Sequence, residues 1–145
     1  MDTCPFCEIV AGRGRASVFY EDDLVIDFLD IHPINAGHAL IIPKAHAPHL
    51  ADLDEATGRQ LFAVAQRTAA ALRAADLRCE GVNLWLADGE AALQDVFHVH
   101  LHVIPRYEGD GFRVQVVDRP ELSRAELDDI AAELKVDAVE IPYTP

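Results

Sequence analysis

Residues 97–103 read Phe-His-Val-His-Leu-His-Val. A polar side chain at every second position is the period of a strand, whose successive side chains point to opposite faces. His98, His100 and His102 then share one face, with neighbours about 6.6 Å apart. Val99, Leu101 and Val103 face the other way, into a core. A ridge of three histidines costs stability unless its ring nitrogens find partners. Three readings follow: satisfied core histidines, a zinc cluster drawing two or three of them as ligands, or histidines that carry covalent chemistry.

The rest of the chain narrows the setting. With 145 residues and half of them apolar, the chain is of ordinary single-domain size and can bury a core. No stretch approaches the roughly 18 to 20 apolar residues of a membrane span, and Met1-Asp2-Thr3-Cys4 opens without the basic head of a signal peptide. We expect a cytoplasmic protein with no membrane partner. Three cysteines argue against a disulfide framework and leave Cys4 and Cys7 as a thiolate pair, with Cys79 apart. A formal charge of −13 opposes contact with a nucleic acid backbone, leaving a small anionic ligand in a local pocket as the alternative.

In chain order, Thr3 stands as the N-cap of a short helix from Cys4 to Ala11, with Pro5 in its first turn and Gly12 and Gly14 closing it. Strands are expected at residues 18–20, 24–29, 38–42 and 81–86, then at the histidine stretch, which Pro105 ends. Leu61, Phe62, Val64, Ala65, Thr68, Ala69 and Leu72 recur at helical spacing between Asp54 and Asp76 and define one long core-packed helix. Ser123 with Glu126 three residues on opens a helix from Arg124 to Lys135. The fold expected is α+β, an antiparallel sheet of about five strands with one long helix, a short N-terminal helix and a C-terminal helix. We divide it into a domain at residues 1–110 and a C-terminal extension at residues 111–145, packed on the same domain.

The arrangement Gln94-x-x-x-His98-x-His100-x-His102, with His46 in a Pro-Lys-x-His loop and Asp30 in a Phe-x-Asp-x-x-Pro stretch, resembles the histidine triad (HIT) family of nucleotide hydrolases and transferases. The likeness runs from Cys4 to about Arg106, and Ile104-Pro105-Arg106 is similar to members that hydrolyse diadenosine polyphosphates. The resemblance implies that His100 attacks the α-phosphorus of an adenine nucleotide and forms a covalent nucleotidyl intermediate. The attack needs a neutral imidazole whose second nitrogen is held by a backbone carbonyl near His98. His102 would donate to the phosphate or the leaving group, and Gln94 would hold the phosphate or orient water. Asp30 would accept the ribose hydroxyls, and Phe6, Ile9, Phe28, Leu29 and Ile31 would line the base pocket.

Further expectations come from the same likeness. Cys4, Cys7, His46 and His98 match a closed structural zinc site of some bacterial members, and a homodimer is expected. Members often carry an asparagine where this chain has Ala87 and a glycine where it has Leu93. Asp95 stands where a serine or threonine commonly contacts phosphate; a carboxylate there would repel an anion unless it points away, so any help is expected from its backbone amide. These departures leave open a nucleotide-binding regulatory protein with little turnover as the alternative function. Lys44 and Arg106 are candidate anion contacts, and His32, His38 and His49 read as bystanders.

Overall fold

In a computed structural model, residues 4–134, 136 and 137 are described. The chain divides into two compact units, Met1–Phe112 and Arg113–Pro145.

The first unit is a five-stranded sheet. Its strands are β1 (Val18–Glu21), β2 (Val25–Leu29), β3 (Ala39–Pro43), β4 (Gly81–Trp85) and β5 (Leu101–Arg106), in spatial order β1-β2-β3-β5-β4 with every pair antiparallel. Strand parity divides its side chains between two layers. Val25, Ala39, Ile41, Leu101 and Val103 pack with Val99 against Leu61, Val64, Ala65 and Leu72 of helix α2 (Glu55–Ala74). Ile26, Phe28, Leu40 and Ile42 pack on the other face with Phe6 of helix α1 (Pro5–Val10). The sheet is therefore covered by a long helix on one side, while its other side carries α1 and the histidines. That explains why β3 reads as a continuous apolar run and β2 as one broken only by Asp27.

Several boundaries differ from expectation. The N-cap of α1 is Cys4, with Pro5 at the first helical position; Thr3 lies outside the described residues. Phe62 is exposed, so the buried stripe of α2 is narrower than its sequence period implied. β5 starts at Leu101, after His98 and His100, because its β3 neighbour ends at Pro43. In the register that pairs Ile41 with Leu101, Pro43 would stand opposite Val99 and has no N–H to offer. Val99 N–H bonds the Ala47 carbonyl instead, at 2.7 Å. Pro105 does not end the strand but pairs with Val82. It lies beyond the last β3 partner, where a missing donor costs no ladder bond, and its carbonyl accepts from Asn35 Nδ2 at 2.8 Å.

In the second unit, α3 spans Arg124–Glu133. Ser123 Oγ accepts from Glu126 N–H and Glu126 Oε2 accepts from Ser123 N–H, the reciprocal cap its sequence announced.

Candidate active site

Cys4 caps α1 and Cys7 lies three residues on within it, and the chain past β3 brings His46 back toward them. The sulfur and Nδ1 atoms of Cys4, Cys7, His46 and His98 all lie within 4.8 Å of one another. Cys4 Sγ to His98 Nδ1 is 3.4 Å, Cys7 Sγ to His46 Nδ1 is 3.3 Å, and the two Nδ1 atoms are 3.2 Å apart. A tetrahedral zinc bound at ordinary lengths has S···N edges of about 3.6 Å and N···N edges of about 3.3 Å. The set could hold such an ion. His98 is fully buried and its Nε2 donates to the Pro43 carbonyl at 2.8 Å, which leaves Nδ1 with a free lone pair toward the cluster. Burial pushes the His98 pKa down, an effect the Pro43 bond partly offsets.

His100 follows on the same face. Its Nδ1 donates to the His98 carbonyl at 2.7 Å, so Nε2 keeps the lone pair. The ring is buried, with Phe6 edge-on at 5.2 Å and His102 at 5.0 Å. His102 Nδ1 lies 2.9 Å from Nε2 of His38. Because His38 Nδ1 accepts from Ile34 N–H at 3.1 Å, its proton sits on Nε2 and points at His102. His102 must then carry its own proton on Nε2. Burial, helped by its histidine neighbours, lowers the His102 pKa to about 4, so the ring is neutral near pH 7.

A cavity of about 650 Å³ opens against these rings. Phe6, Ile9, Phe28, Leu29 and Ile31 all line it, as do Asp30, Asp95, His100 and His102. Ile31 stands 80% exposed on this rim. Asp30 Oδ1 closes a turn by accepting His32 N–H at 2.8 Å, and Oδ2 lies 3.7 Å from His38 Nδ1.

Four sequence expectations need correction. His38 is no bystander but the partner of His102. It shares strand parity with Leu40 and Ile42, which put it on the histidine face. Gln94 commits its amide to the backbone, donating to the Pro48 and Val96 carbonyls at 2.8 and 3.1 Å and accepting Gly89 N–H at 2.7 Å, so it braces the loop before His98. The Asp95 carboxylate points toward His100, with Oδ1 3.7 Å from its Nε2. Lys44 and Arg106 are already paired, with Glu21 and Asp110. Leu93 sits at φ +68° in the left-handed region, the conformation a glycine adopts freely. Ala87 is buried.

The fold and this arrangement of side chains are shared with known proteins. Residues 12–109 match the family model described as the HIT domain, and the chain belongs to that family. A HIT family protein from Bacillus anthracis superposes with a TM-score of 0.82 at 39% identity, over 92% of this chain and 95% of its own. A zinc-bound histidine triad family protein from Mycobacterium smegmatis is 42% identical, with a TM-score of 0.74 over 90% of this chain and 97% of its own. The adenylylsulfatase HINT3 of Arabidopsis thaliana is 38% identical over 110 residues, 74% of this chain and 54% of the plant protein.

Proposed function

We propose that this chain is a nucleotide hydrolase or nucleotidyltransferase that acts on the α-phosphate of adenine nucleotides through a covalent intermediate on His100. The observation that carries this is the His100 ring, with Nδ1 bonded to the His98 carbonyl and its Nε2 beside an apolar cavity. Phe6, Ile9, Phe28, Leu29 and Ile31 hold the base, and Asp30 accepts the ribose hydroxyls. His100 Nε2 attacks phosphorus, and His102 donates its Nε2–H to a phosphoryl oxygen as charge develops there. His38 keeps that donor turned inward. Gln94 braces the loop that carries Asp95 and His98.

Cys4, Cys7, His46 and His98 hold a structural zinc in this reading, a role supported by their edge lengths and by the zinc-bound relative. When bound, the metal fixes α1 to the His98 backbone and so to the carbonyl that orients His100. With four protein ligands it leaves no open position for chemistry. A cytoplasmic homodimer is the setting we propose, the dimer supported by exposed Leu84 and Trp85 on the edge strand β4.

The test is product analysis with diadenosine tetraphosphate, adenosine 5′-phosphosulfate and adenosine 5′-phosphoramidate. The wild type should release AMP from at least one, and His100→Ala from none. Binding without turnover in the wild type would favour the regulatory alternative.

A further inference from the structure

The side chain that most distinguishes the reacting end of this cavity is Asp95. Its Oδ1 lies 3.7 Å from His100 Nε2, its side chain is 85% exposed, and it lines the same cavity. A lone pair and a carboxylate oxygen thus converge on the space a reacting phosphorus must enter. Two facing acceptors suit an N–H donor between or beside them and repel additional anionic oxygens. Three of the cations that could offset those oxygens are engaged elsewhere. Lys44 Nζ holds Glu21 at 2.7 Å, Arg106 holds Asp110, and Arg13 in the cavity wall is paired in two bonds with Glu8 at 2.8 and 2.7 Å. Arg15 also lines the cavity.

We propose that Asp95 sets leaving-group specificity, favouring substrates that release an amine over those that release a phosphate or sulfate anion. This rests on the covalent reading of His100 and names the substrate class within it. In the first step the His100 Nε2–P bond forms as the substrate P–N bond breaks. The bonding pair leaves on nitrogen, which takes one proton from solvent while its N–H donates to Asp95. Water then cleaves the Nε2–P bond, its oxygen goes to phosphorus, and one proton returns to solvent. An anhydride leaving group offers Asp95 no donor and brings charge against it.

The experiment measures kcat/KM of the zinc-loaded wild type, Asp95→Asn and Asp95→Ser on adenosine 5′-phosphoramidate, adenosine 5′-phosphosulfate and diadenosine tetraphosphate. The wild type should prefer the phosphoramidate. Both variants should raise the anhydride-to-phosphoramidate ratio roughly tenfold, an effect that shrinks with added salt because the carboxylate is exposed. A wild-type preference for the anhydrides, or a ratio unchanged within about twofold on the scale of a screened charge, overturns the proposal. Affinities for AMP, ADP and ATP provide a readout that needs no turnover. Each added phosphate should weaken binding to the wild type more than to Asp95→Asn, and parallel series would overturn the assignment. Activity that survives in His100→Ala would instead overturn the covalent reading, while the affinity series still decides the role of Asp95.

Discussion

Asp27 occupies the middle of β2, fully buried on the face that packs against α2. Thr68 Oγ1 donates to its Oδ2 at 2.5 Å, and Oδ1 has no partner among the described residues. Burial pushes its pKa up to about 7 against the helping bond from Thr68. A raised carboxyl pKa means the native state holds a proton that the unfolded chain, with a pKa near 3.9, has released. Stability contributed by this group is therefore greatest below about pH 3.9, is lost as pH rises, and levels off above about pH 7. Three pKa units correspond to about 4 kcal/mol in all, of which about 2 kcal/mol falls between pH 5.5 and 8.5. Asp27→Asn keeps the shape and a group for Thr68 while abolishing the titration. Urea unfolding of both proteins across that range, at fixed zinc, should show the variant gaining about 2 kcal/mol on the wild type as pH rises. A stability difference that stays flat across the range would refute the reasoning.

Leu93→Gly should stabilise the protein by about 1 kcal/mol in the same assay, because it relieves a left-handed backbone at an exposed position without removing a buried contact. Metal analysis of purified protein should find one zinc per chain that His46→Ala or Cys4→Ala reduces and His100→Ala retains; loss of metal from His100→Ala would favour the triad as ligands instead. Replacing His38 with phenylalanine should lower kcat at least about tenfold with little change in zinc content, since it removes the bond that turns the His102 proton inward. An unchanged kcat would show that His102 needs no such partner.

Much of this architecture was legible because it follows from side-chain period. The alternation of residues 97–103 placed Val99, Leu101 and Val103 in the α2 layer, and the spacing from Leu61 to Leu72 announced the long helix. The resemblance to the HIT family, not periodicity, brought together Asp30, the five apolar lining residues and the four metal-type side chains from distant parts of the chain. What escaped depended on pairing across strands. His38 had no motif of its own, and its importance comes from the β3–β5 register that sets Leu40 opposite His102. The late start of β5 depended on Pro43, a residue far away in sequence. The direction of Asp95 and the commitment of Gln94 depended on loop conformation, which local periodicity does not encode.

The most direct measurement is to mix the protein with a turning-over substrate, quench it within a turnover into alkaline denaturant, and determine its intact mass. A fraction carrying one nucleotidyl group, mapped to His100 in the peptide spanning the triad and missing from His100→Ala, is the expected result. Steady turnover with no adduct at any quench time, or an adduct on His98 or His102, would contradict the assignment of His100 as the nucleophile.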